Sequence, residues 1–256
     1  MRLTQFQKVI KINGCFADLD LKQQGVIEDF QLLFYIIQPP TPERVKYDIF
    51  DRVNRGGTPL NKQEMRNALY RGRCTRMLDK LCCSPEFLIA TGRSINKERM
   101  KDQYVVLRAM AFLMLHRGEF KDIPALQYRG DIDDFLARFM VYVNDNAPEK
   151  LIVDYENLFI RCMQISYDLL GENGFRFSGN GIRRPINMPL FEALSYLFSF
   201  VPEKIDYTWA SRLILDIESV KEEFDDSRYF SGNIDSTTSV SFRFDRMDKI
   251  INRIQL

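Results

Sequence analysis

Apolar positions recur at three- and four-residue intervals along most of the chain, and that spacing predicts helices. Phe6, Val9 and Ile10 share a face over residues 4–13, with Gly14 as a stop. Thr41-Pro42-Glu43 starts a second helix, with an N-cap hydroxyl, proline at the first helical position and an acid in the first turn. Val45, Ile49, Phe50 and Val53 form its predicted buried stripe, and Gly56-Gly57 ends it. Asn61-Lys62-Gln63-Glu64 reads as a capping box, Asn61 accepting from the third backbone N–H while Glu64 reaches back. Further on, a long apolar helix is predicted over Ile95 to Leu115. Ile132, Phe135, Leu136, Phe139, Met140 and Val143 keep a three-four rhythm, as do Leu158, Phe159, Cys162, Leu169 and Leu170. Helices are also predicted over Pro189 to Phe200, Tyr207 to Lys221 and Val240 to Ile254, and a polar, glycine-rich loop from Gly171 to Pro185 separates two helical groups.

One run breaks this period. Glu28 to Gln38 is apolar almost throughout from Phe30 to Ile37, which predicts a strand buried on both faces and closed by Pro39-Pro40. A single strand cannot bury two faces. Either a short hairpin with Cys15 to Leu21 covers it, or its sheet needs strands this sequence does not supply; we favour the second reading.

Composition narrows the function classes. The chain has 256 residues, with 36 Lys+Arg against 35 Asp+Glu, so the net charge of +1 gives no whole-molecule attraction to a phosphate backbone. Hydrophobic residues at 45% and charged residues at 28% are globular usage, enough for one large domain or two small ones. The apolar runs Leu32 to Ile37 and Val105 to Leu115 fall short of the roughly 20 residues of a membrane span, and Arg108 interrupts the second. No secretory leader is read at the start, where Arg2, Lys8 and Lys11 are interleaved, so a cytoplasmic location and no membrane partner are expected. Cys15, Cys74, Cys82, Cys83 and Cys162 are odd in number and form no CxxC pair, which points to core thiols rather than a disulfide framework or zinc site. His116 is the single histidine and excludes two-histidine schemes; it is expected to meet the C-terminal charge of its helix. No metal site, Walker loop or GxSxG elbow is present in the pattern.

Residues 49–70 carry Ile49, Phe50, Arg52, Asn54, Gly56, Gly57, Leu60, Asn61, Gln63, Glu64, Arg66, Asn67, Ala68 and Tyr70. This segment resembles the signature IFxRxNxGGxxLNxQExRNAxY of the GmrSD N-terminal domain family, the DGQQR-motif domains of modification-dependent restriction and SspE-like antiphage systems. Family-like features continue through Arg99 to Asp102, Leu107-Arg108, Asp134 to Leu136, Phe175-Arg176, Phe191-Glu192 and Arg243-Phe244. The resemblance implies a mainly α (α+β) chain: a partial αβ, ParB/sulfiredoxin-like nucleotide-binding region over residues 1–60, followed by a helical domain over 61–256. The family's DGQQRLT loop ends in Arg-Leu-Thr and this sequence opens Met1-Arg2-Leu3-Thr4, so the chain is expected to begin inside that loop. NTP with Mg as cofactor is implied by the family alone, and full NTP hydrolysis is not expected without the rest of the loop. No HNH nuclease motif is present.

Candidate residues follow. Arg52, Asn54, Gly56 and Gly57 are either a helix stop with surface side chains or a phosphate clamp, with arginine as fork donor and glycines for close approach. Gln63 and Arg66 lie three apart on one helix face and join that clamp in the functional reading, as does Arg2 if it is the surviving motif arginine. Arg66, Arg71, Arg73 and Arg76 are either a solvated face or a DNA-phosphate stripe. Arg183 and Arg184 precede a helix capped by Asn187 and form a candidate anion site; Arg243 is a further candidate DNA or anion contact. Arg99 and Asp102 are expected to pair. The expected partners are DNA, a nuclease domain or full-length relative, and a second copy of the chain. The rival reading is a non-enzymatic scaffold or regulator presenting its apolar strand edge to such a relative.

Overall fold

The computed structural model describes residues 15–32, 34, 36, 45, 48–50, 52, 59–179, 183–202, 204 and 206–254. Two compact units divide the chain, Met1–Pro42 and Glu43–Leu256, so the expected boundary at residue 60 falls inside the second. Among the described residues there are helices and no strand. The mainly α class stands, and the small αβ region is not seen among the described residues.

In the first unit a 3-10 turn, Phe16–Asp18, leads into helix α1, Leu21–Glu28. Cys15 N–H donates to Asp18 Oδ2 at 2.8 Å, and Gln23 N–H donates to Asp20 Oδ1 at 2.8 Å. These side-chain caps satisfy the backbone locally, so Cys15 to Leu21 has no need of a hairpin partner. Of the residues expected as a doubly buried strand, Phe30, Leu32, Phe34 and Ile36 are non-regular and open to water, with exposures of 60%, 66%, 75% and 82%. Leu33, Tyr35 and Ile37 lie outside the described residues, as do the helix expected over 4–13 and the start at Thr41-Pro42-Glu43.

The second unit is an all-helical assembly. Residues 45, 48–50 and 52 are helical as expected, although Val45 is exposed rather than buried. Nine further helices follow among the described residues: α2 Lys62–Leu69, α3 Arg73–Cys82, α4 Pro85–Ala90, α5 Lys101–His116, α6 Ile132–Asp145, α7 Glu149–Leu170, α8 Met188–Phe198, α9 Tyr207–Asp225 and α10 Thr237–Ile254. Helix α5 packs on α2, α3, α6, α7 and α8, and α8 packs on α5, α7 and α10. Both are buried all round, from Val105 to Met114 and from Pro189 to Phe198, as a helix at the centre of an assembly must be. Their neighbours are one-sided: all six rhythm residues of α6 are buried, and α3 buries Cys74, Met77, Leu78, Leu81 and Cys82.

Helix α5 starts at Lys101, not Ile95, because Arg99 and Met100 take left-handed backbone angles, φ 57° and 58°. That break turns the Arg99 side chain toward α2, where its guanidinium donates to Pro59 O at 2.7 Å and to Glu64 Oε2 at 3.0 Å. His116 departs from its expected role as well. Its ring stacks on Phe244 with centroids 3.5 Å apart, and burial together with the Arg243 charge pushes it down to about 3. A neutral imidazole makes no charge interaction with the helix end. Of the cysteines, Cys74, Cys82 and Cys162 are core thiols as expected, while Cys15 and Cys83 are exposed.

Candidate functional site

The motif helix α2 is held by its own polar residues. The capping box forms as read: Asn61 Oδ1 accepts from Gln63 N–H and Glu64 N–H at 2.8 and 2.9 Å, and Asn61 N–H donates to Glu64 Oε2 at 2.6 Å. The Arg99 guanidinium and the Asn61 N–H hold the Glu64 carboxyl below its usual range. Gln63 and Arg66 do share a face, but it is an interior one, with exposures of 3% and 1%. Arg66 Nε donates to Gln63 Oε1 at 3.0 Å and NH1 donates to Asp133 Oδ1 at 2.8 Å, while the guanidinium lies 5.3 Å from the Tyr104 ring centre. Gln63 passes on to Asn67, Asn67 to Gln103 and Gln103 to Asp79. Burial opposes the charge of Asp133, yet Lys62 and Arg66 hold its carboxyl below the usual range. Arg66 is thus buried and spent on the Asp133 carboxylate, which removes it as a phosphate ligand in this fold. Arg52 is exposed on its helix; Arg2, Asn54, Gly56 and Gly57 lie outside the described residues.

The arginine stripe separates into different environments. Arg71 and Arg76 are exposed, Arg66 is buried, and Arg73 donates to Ala147 O at 2.6 Å and pairs with Glu149 at 3.6 Å. Arg243 is fully buried, which excludes it as a DNA contact in this fold. Its NH2 donates to Glu192 Oε2 at 2.9 Å and its NH1 to Ile234 O at 2.6 Å. Arg108 bonds the other oxygen of Glu192 through Nε and reaches Asp235 Oδ1 through NH2 at 2.6 Å. Two buried guanidinium groups therefore face one buried carboxylate, Glu192, and one partly exposed carboxylate, Asp235. Burial works against the charge of Arg108, but Glu192 and Asp235 more than offset it. Arg99 and Asp102 form no ion pair among the described residues: Arg99 turns to Glu64, and Asp102 accepts from Gln103 N–H at 2.9 Å.

Arg183 and Arg184 lie in company the sequence did not nominate. A cavity of about 600 Å³ opens at the C-terminal end of α7 beside α9, lined by Arg176, Arg183, Arg184 and Lys221 together with Glu172 and Glu218. Four cations thus face two carboxylates. Arg176 and Lys221 are each only 5% exposed. Arg176 is fixed by the carbonyls of Glu172, Thr91 and Arg184 and by Ser94 Oγ. Burial, then the Arg183 charge, lower its basicity. Arg183 donates to Glu172 Oε2 at 2.8 Å, and Lys221 Nζ donates to Glu218 Oε1 at 2.8 Å. Arg184 pairs with Asp225 and lies over the Phe177 ring, 5.3 Å from its centre. Gly92, at φ +58°, presses on this site: a Cβ there would stand 2.2 Å from Arg183 NH2. Asn187 caps α8, accepting Leu190 N–H at 3.0 Å, and its own N–H donates to Phe175 O, so it shapes the loop.

The chemistry available is anion capture. Guanidinium forks match the geometry of phosphate oxygens, and a buried ammonium adds a point charge. Glu172 and Glu218, with side chains 52% and 40% exposed, make surface-type pairs of small net value, and an entering dianion can displace them. Lys221 was detectable: it continues the apolar stripe of Leu213, Ile217 and Phe224 on α9, where a solvated lysine has no place. Arg108 and Glu192 gave the same kind of signal, each a charge inside an apolar run. Among the described residues no cluster of His, Cys, Asp and Glu forms a metal site. No helix among them is long and apolar enough to cross a membrane. Set against known protein families, curated proteins and solved structures, the chain matches none of them.

Proposed function

We propose that the chain is a nucleotide- or DNA-binding module of a restriction-type defence system, of the GmrSD N-terminal and SspE-like kind that residues 49–70 resemble. It grips a phosphate group and leaves hydrolysis and cleavage to a partner. One observation carries the reading: the cationic cavity, where Arg183 and Lys221 are held in position by carboxylates that a phosphate can replace. Exposed Arg52, on the helix that opens the motif, supplies a second contact. Isothermal titration of the whole chain with ATP, and anisotropy of a labelled duplex, test it. Arg183→Glu is expected to weaken binding about tenfold or more, with steep loss of duplex binding as salt rises. Equal binding by the parent and Arg183→Glu proteins, with unchanged circular dichroism, removes the assignment.

A second reading is favoured by the first unit. Phe30, Leu32, Phe34 and Ile36 alternate along the chain and all face water. Such a stretch is a template for pairing with another chain, which fits a scaffold that joins a relative or a second copy.

A further inference from the structure

A second cavity, of about 870 Å³, shares no lining residue with the cationic one. Its apolar surface comes from Tyr70, Ile123, Leu126, Val141 and Tyr142, along α6 and the 3-10 turn Pro124–Leu126. Its charges have the opposite sign: Asp48, Asp131, Asp133 and Asp134 against Arg138 alone. The four acids are not equally committed. Asp133 is taken by Lys62 and Arg66. Asp131 caps α6 through one oxygen, Oδ1, which accepts Asp133 N–H and Asp134 N–H at 3.0 and 3.1 Å. Asp134 pairs with Arg138 one turn on, at 2.7 Å, and its side chain is 57% exposed; pairs of that kind exchange readily. Asp48 is exposed.

We infer that this groove docks a basic amphipathic helix of a partner protein, its leucine-type side chains on the apolar wall and its lysines or arginines against Asp48, Asp131 and Asp134. Charge decides between occupants. Asp48 and Asp131, with the exchangeable Asp134, leave the rim acidic, which disfavours a phosphate backbone at this face. No ligand cluster for a metal ion forms among the described residues. A polyamine would meet the acids but leave the apolar wall wet. The volume lies at the top of the range for small-ligand pockets, about 300–1,000 Å³. A helix face presenting apolar residues at i, i+3, i+4 and i+7 satisfies both the wall and the rim. The inference stands apart from the cationic cavity, since the two sites have different lining residues and opposite charge.

The test uses the full chain and a labelled model helix of about 14 residues built from leucine and lysine, beside the same helix built from leucine and glutamate. Fluorescence anisotropy is expected to show saturable one-to-one binding of the lysine helix alone, weakening between about 50 mM and about 300 mM salt. Asp48→Lys combined with Asp134→Lys is expected to lower that affinity about tenfold or more, and Ala125→Lys, on the exposed lip, to lower it as well. ATP binding should be unchanged in Ala125→Lys, which separates this site from the cationic cavity. Equal binding of the two helices, affinity unmoved by the substitutions, or full displacement by spermidine at equal concentration each overturns the proposal. Should Asp134→Lys disturb the start of α6, Ala125→Lys and Asp48→Lys alone still decide.

Discussion

His116 lies flat on Phe244 with Tyr196 edge-on beside it, and its Nε2 has no hydrogen-bond partner. Its ordinary value of 6.5 falls to about 3 in the folded chain. Between those two values the unfolded chain binds the extra proton, so stability rises with pH across the window. The contribution is whole above about pH 6.5 and is lost as pH falls toward 3, by on the order of 3–5 kcal/mol. His116→Phe keeps the stacked ring and removes the titration. Urea unfolding at pH 7 and pH 4.5 should show a smaller acid loss in the variant; an unaltered loss would mean that the imidazole titrates in water. Some residue roles were open to reading from local spacing, such as the reciprocal caps of Asn61 and Glu64. Others were not. The partners of Arg66 and Arg108, Asp133 and Glu192, are remote in the chain, and no local pattern announces which charge will be folded against which.

Helices with a clear apolar stripe were legible: α6 buries the six residues its rhythm named, and α9 and α10 extend the predicted spans at one end. Where the expectation failed, a local feature competed with the pattern. At Arg99 and Met100 the left-handed pair ended the run that begins at Ile95, and Glu64 and the Pro59 carbonyl collect the displaced arginine. Over residues 30–36 the composition promised burial, but burial needs a facing element, and composition is silent about whether one exists. If the pairing reading is correct, the whole chain should run above its monomer mass of 30.2 kDa in light scattering, and Phe34→Lys with Ile36→Lys should return it to monomer. A monomeric parent protein without affinity for hydrophobic dyes would discard that reading.

The whole molecule hides its electrostatics. Within a net charge of +1 lie a cationic cavity, an acidic groove and a quartet of two arginines and two acids, none of which the total reveals. What was legible was that local patches were permitted; their composition came from packing. The quartet has a consequence of its own. Glu192 serves Arg108 with one oxygen and Arg243 with the other, so α5, α8 and α10 depend on the same carboxylate, and Asp235 binds the preceding loop to them. Glu192→Gln leaves two guanidinium ions in the interior without that charge, at a cost of on the order of 3–5 kcal/mol, readable by chemical denaturation. In the parent protein none of these helices can loosen alone without stranding an ion, so their slowest amides should exchange with deuterium in one concerted opening. Three separate opening events would show that the helices part company one at a time.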